Sequence, residues 1–191
     1  SMDVQLVELT PDVMIEEALA GPTFQAISPD SSLWLDQLDR RWGEVQQVGE
    51  GAIAPSLVGE SVRFAVSPVV IAAWEDVARS LGWPNQSAGW QDIQQRATED
   101  PDFRWSHPST NVASGLLATL AEFYAGAGRT RGLTEQDATA QSTLDYVAAI
   151  ERTVKFYGEG EAAIMQRIQQ EGRSFLDAFV AQEHLVVNYN R

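Results

Sequence analysis

Twice in this chain a short strand-like run passes through a turn crowded with helix-capping residues into an amphipathic helix. Phe24 to Ile27 leads into Ser28-Pro29-Asp30-Ser31-Ser32. Leu33, Trp34, Leu38 and Trp42 follow at helical spacing. Phe103 to Ser106 leads through His107-Pro108-Ser109-Thr110-Asn111 into Val112, Leu116, Leu117, Leu120 and Phe123. A strand period that switches to a helix period at each turn constrains the fold to the α/β class.

The rest of the chain extends this pattern. Val4 to Leu9 alternates apolar and polar residues, as a half-buried strand does. A helix from Asp12 to Ala20 is stopped by Gly21-Pro22. Residues 44–60, with Gly49, Gly51, Pro55 and Gly59, read as a loop. Arg63 to Ala73 is the most strand-like run, broken by Ser67-Pro68, where proline marks an edge or a crossing between units. Parallel strands are therefore expected at 4–9, 24–27 and 62–72. Further helices are expected from Ala72 to Gly82 and over 90–97, 112–126, 136–155, 160–171 and 174–187.

Composition removes whole classes of function. With no cysteine there is no disulfide, zinc-thiolate site, iron–sulfur cluster or thiol nucleophile. The 27 acids against 13 bases give a net charge of −14, and Lys155 is the one lysine. Nucleic acid is not expected as a partner, because its binding rests on neutralising phosphates. No apolar run approaches a membrane span, and no basic-then-apolar leader opens the chain. Ser1-Met2 reads as a cloning remnant.

Catalytic templates fail in turn. There is no Gly-x-Ser-x-Gly elbow, His-Glu-x-x-His or P-loop. His107 and His184 are too few for a three-histidine metal site, and nothing places triad partners around His107. No calcium loop is present, so no metal, cofactor or catalytic residue is expected. Gly158 to Ala163 matches part of a dinucleotide fingerprint, but it follows a helical pattern and carries Glu159 and Glu161. It reads as a turn between helices. Of the six tryptophans, Trp34, Trp42, Trp74 and Trp105 fit core positions, while Trp83 and Trp90 flank a turn.

The two capped turns remain. The start of a helix presents unpaired N–H groups and a partial positive charge, a site for an anion without any lysine. Plain N-capping needs one hydroxyl per helix. Ser31 and Ser32 at one turn, and Ser109, Thr110 and Asn111 at the other, exceed that minimum.

These segments together resemble bacterial extracellular solute-binding proteins with the type 2 periplasmic binding fold. Ser28 to Leu35 carries the likeness, and Val66 to Ala72 looks like that family's lobe-crossing strand. Leu81 to Pro84, Gly89-Trp90, His107 to Leu117, Ala149 to Arg152 and Glu183 to Val186 follow in order. The subgroup is often associated with a von Willebrand factor type A domain. The resemblance spans about residues 20–188.

It implies two lobes with helices flanking mostly parallel sheets. Residues 1–66 would belong to the first lobe, 67–187 to the second, and 188–191 to the start of a return. The family's flanking segments before Ser1 and after Arg191 look absent, as in a truncated middle portion. The implied function is non-catalytic binding of a small polar or anionic solute between the lobes, in transport or sensing. Ser31, Ser32, Ser109, Thr110 and Asn111 would be the ligand contacts, with Ser67 near the floor. A membrane transporter or an attached domain would be the partner. The location would be extracellular or periplasmic, anchored through segments outside this chain. Self-association of the truncated chain is also expected. The alternative is an interaction or scaffold module that binds no small ligand.

Overall fold

The computed structural model describes residues 3–21, 23–46, 56–158 and 160–191. The chain divides into two compact units, 1–66 and 67–191. The expected start at Ser1-Met2, most of the 44–60 loop and Glu159 lie outside the described residues.

In the first unit, α1 (Pro11–Ala20) begins with proline in its first turn. It ends at Gly21, whose φ of 102° is left-handed and suits glycine. The next helix, α2 (Ser32–Val45), pairs with it. Met14, Ile15 and Ala18 are buried on α1, and Trp34 and Leu38 on α2, the i and i+4 spacing of one helix face. Arg41 pairs with Glu16 at 2.6 Å. Asp39 accepts hydrogen bonds from the Leu57 and Val58 amides and the Ser56 hydroxyl.

The expected strands at 4–9 and 24–27 do not form, and 62–68 is also irregular. A strand needs a neighbour for its ladder, and no strand lies among the described residues of this unit. Val4, Leu6, Val62, Phe64 and Val66 remain exposed.

The second unit is a mixed α/β layer structure. In chain order it contains β1 (Val69–Ala73), α3 (Glu75–Ser80), α4 (Trp90–Glu99), β2 (Trp105–Pro108) and α5 (Ala113–Gly126). Then come α6 (Glu135–Thr139), α7 (Gln141–Glu151), β3 (Phe156–Gly158), α8 (Glu161–Glu171), a 3-10 turn at Gly172–Ser174, β4 (Ala178–Gln182) and α9 (Glu183–Tyr189). The sheet order is β1-β4-β2-β3. Strand β2 runs parallel to both β3 and β4, and β1 runs antiparallel to β4.

One strand was hidden in an expected helix and one in an expected turn. Residues 174–187 hold the inner strand β4. The helix expected over 136–155 is split into α6 and α7 and ends at Glu151, and β3 follows it in the gap before 160. Ala178-Phe179-Val180-Ala181 is too short an apolar run for its period to decide between strand and helix. The pleat decides it: Ala178 and Val180 enter one core cluster, while Phe179 packs on the other.

The first cluster joins Ile93, Trp105, Ala118, Ile150, Ala178 and Val180. The second gathers Ile164, Met165, Ile168, Phe175 and Leu176. Helices thus cover both faces of the sheet, as parallel pairing requires. The indole N–H groups of Trp74 and Trp105 donate to the Leu176 carbonyl and the Thr153 hydroxyl. The expected turn between helices at 158–163 is corrected as well, since Gly158 ends strand β3 and Glu161 begins α8. A Cβ on Gly158 would meet Ile164 at 2.6 Å, so that glycine serves close packing.

Candidate functional site

The turn after β2 is held from below. Strand β2 is entirely buried and ends at Pro108. The Ser109 amide donates to the Gly158 carbonyl at 3.0 Å, and the Val112 amide to the Ser109 carbonyl at 3.2 Å. Ser109 Oγ accepts from the Asn111 amide at 3.4 Å, a long contact. Thr110 and Asn111 are exposed, and their side chains make no hydrogen bond among the described residues. Val112 occupies the N-cap of α5, so no side chain caps that helix. Polar side chains therefore stand at the carboxyl end of a parallel strand beside uncapped helix N–H groups. Ligands of open α/β sheets gather at such strand ends.

Of the other expected site residues, Ser31 and Ser67 have partners within their own units. Ser31 is the N-cap of α2 and accepts from the Leu33 amide at 3.3 Å. Ser32 is the exposed first residue of that helix. Ser67 Oγ lies 2.9 Å from His184 Nδ1 and accepts from the His184 amide at 3.2 Å, tying the approach to β1 to α9. The structure brings Ser109, Thr110 and Asn111 together in one turn.

Beneath that turn lies a cluster of different character. His107, on β2, is buried at 1% exposure. Its Nδ1 is 2.7 Å from the Pro108 carbonyl, an acceptor only, so Nδ1 carries a proton and donates. Its Nε2 lies 3.3 Å from Glu151 Oε2, at the last residue of α7. Tyr157, a half-exposed residue of β3, donates its hydroxyl proton to the same Glu151 oxygen. Glu122, on α5, is wholly buried, and neither of its oxygens meets a hydrogen-bond donor.

The electrostatics follow from that arrangement. Burial, then the facing Glu151 charge, push the Glu122 carboxyl up to about 9. Burial pushes Glu151 upward too. Hydrogen bonds from His107 and Tyr157 and the His107 charge outweigh it and hold Glu151 below its ordinary value. Burial and the hydrogen bond to Glu151 raise the Tyr157 phenol. The two carboxyls are thus pushed apart, Glu122 toward its protonated form and Glu151 toward its ionised one.

Sequence reading singled out His107 but not Glu122, Glu151 or Tyr157 as a group. One local signal was present. Glu122 lies four residues after fully buried Ala118, on the inward face of an otherwise apolar helix. The meeting of β2, α5, α7 and β3 had no local signal. Among the described residues no helix is long and apolar enough to cross a membrane. The chain matches no family model, and neither the curated proteins nor the solved structures gave a match.

Proposed function

We propose that this chain is part of a non-catalytic solute-binding protein. In that reading, the turn 109–111 and the first turn of α5 contact a small polar or anionic ligand. The observation that carries the proposal is the uncapped start of α5 beside exposed Thr110 and Asn111 at the carboxyl end of β2. A ligand oxygen there would receive backbone N–H and side-chain donors with no lysine or arginine required. The antiparallel pair β1–β4 further supports the resemblance to the type 2 periplasmic binding fold. It places the strand that enters the second unit beside the one that ends just before α9. Extracellular or periplasmic placement and a transport or sensing role belong to the same proposal.

The test begins with a thermal-shift screen of oxyanions, amino acids and sugars. A hit is then titrated calorimetrically against wild type and Ser109→Ala/Asn111→Ala. Each lost polar contact is worth roughly 0.5–1.5 kcal/mol, so the double variant should bind tenfold or more weakly. Unchanged affinity in the double variant would refute the assignment of these residues.

A second reading is an interaction module. Its support is the apolar side chains of Val62, Phe64 and Val66, which are 79–84% exposed, with Leu6 at 91%. A screen in which no small ligand shifts the melting temperature would favour it.

A further inference from the structure

We propose that His107, Glu122 and Glu151 form a binding site for one divalent transition-metal ion of the zinc class. Their donor atoms already lie within 4.8 Å of one another. An ion bound by nitrogen and oxygen at about 2.0–2.2 Å sits between such donors, so modest side-chain shifts would close the set.

Three independent observations point to a ligand. Glu122 is 0% exposed and both its oxygens lack a donor, which is costly for any buried polar group. The His107 ring is oriented by its Nδ1 donation to the Pro108 carbonyl, leaving Nε2 turned toward Glu151. Metal-binding histidines are commonly held this way, by a backbone carbonyl on the far nitrogen. Finally, two carboxyl groups face each other with no arginine or lysine in ion-pair contact with either, among the described residues. A dication would displace the proton that Glu122 holds and offset the two carboxylates that remain.

The donor set also fixes the kind of ion. One imidazole and two carboxylates suit zinc, manganese or ferrous iron. Calcium and magnesium take oxygen ligands almost throughout. Entry is through Glu151, whose side chain is 26% exposed, and past the half-exposed Tyr157. The ion would tie β2, α5 and α7 together two residues below Ser109. This site stands independently of the proposed solute binding.

The test uses the full chain stripped with a chelator. Zinc chloride is titrated calorimetrically, and native mass spectrometry counts the bound ions. One zinc per chain is expected, with the melting temperature raised and calcium failing to compete. Co2+ should give the visible absorption of a low-coordinate nitrogen–oxygen site. Glu122→Gln, which keeps the shape but removes the anionic donor, should weaken zinc binding at least tenfold and abolish the Co2+ spectrum. His184→Gln should change neither. Glu151→Gln supplies the same readout if Glu122→Gln fails to fold, which circular dichroism decides. Absence of stoichiometric zinc uptake would overturn the proposal. So would wild-type affinity in the Glu122 or Glu151 variant, which would leave a carboxyl pair sharing a proton and nothing more.

Discussion

A Cβ placed on Gly115 would stand 2.0 Å from the Ser109 carbonyl oxygen and 2.3 Å from that of Pro108. The first turn of α5 is therefore folded against the backbone of the turn that precedes it, and only hydrogen fits between them. Alanine has the better helix propensity by about 1 kcal/mol, but overpacking against rigid backbone costs roughly 1–3 kcal/mol. Gly115→Ala should thus lower stability in urea unfolding, by up to about 2 kcal/mol net, with the m-value unchanged. An alanine variant as stable as wild type would show the turn to be looser than this contact implies.

The carboxyl pair gives stability a defined pH dependence when a chelator keeps metal away. Glu122 rises from an ordinary 4.5 to about 9 on folding. The folded chain therefore holds a proton that the unfolded chain releases between those values. Stability must fall as pH rises through that window, by up to about 1.4 kcal/mol per pH unit. Below pH 4.5 both states carry the proton and the Glu122 slope vanishes. Glu151, held below its ordinary value, acts oppositely. Its contribution is present above that ordinary value and lost as pH falls through the lowered one. Glu122→Gln mimics the protonated acid at every pH, so its stability relative to wild type should grow steadily from pH 5 to pH 9. Parallel stability curves for the two proteins would contradict the buried-acid assignment.

The exposed segments predict association. Leu6, Phe64 and Val66 stand in irregular backbone with 79–91% of their surface open to water. Apolar side chains on unpaired backbone invite pairing with another chain. Light scattering should show apparent mass rising with concentration, and Phe64→Glu/Val66→Glu should return it toward the monomer. A monomer at high concentration in the wild type would remove this expectation.

Legibility in the sequence followed the length and periodicity of each element. Helices α1, α2, α4, α5 and α8 were readable because their apolar residues repeat over several turns and their starts carry proline, serine or glycine. Strands β3 and β4 were not. Each is five residues or fewer, and β4 owes its state to its neighbours β1 and β2 rather than to its own pattern. The segment 4–9 failed in reverse, since alternation without a pairing partner leaves exposed coil. The turn 109–111 was visible because its polar residues are consecutive. Glu122 and Glu151 are brought to His107 by helix packing, which leaves no consecutive trace.

The most direct measurement is an amide NMR titration of the 15N-labelled chain with the best ligand from the thermal-shift screen. Backbone N–H groups at the start of α5 are the proposed anchors, and their shifts report contact without any substitution. The largest perturbations should fall on Ser109 to Gly115, saturating with the calorimetric affinity and disappearing in Ser109→Ala/Asn111→Ala at the same ligand concentration. Saturable perturbations centred elsewhere, with Ser109 to Gly115 unmoved, would contradict the proposed function.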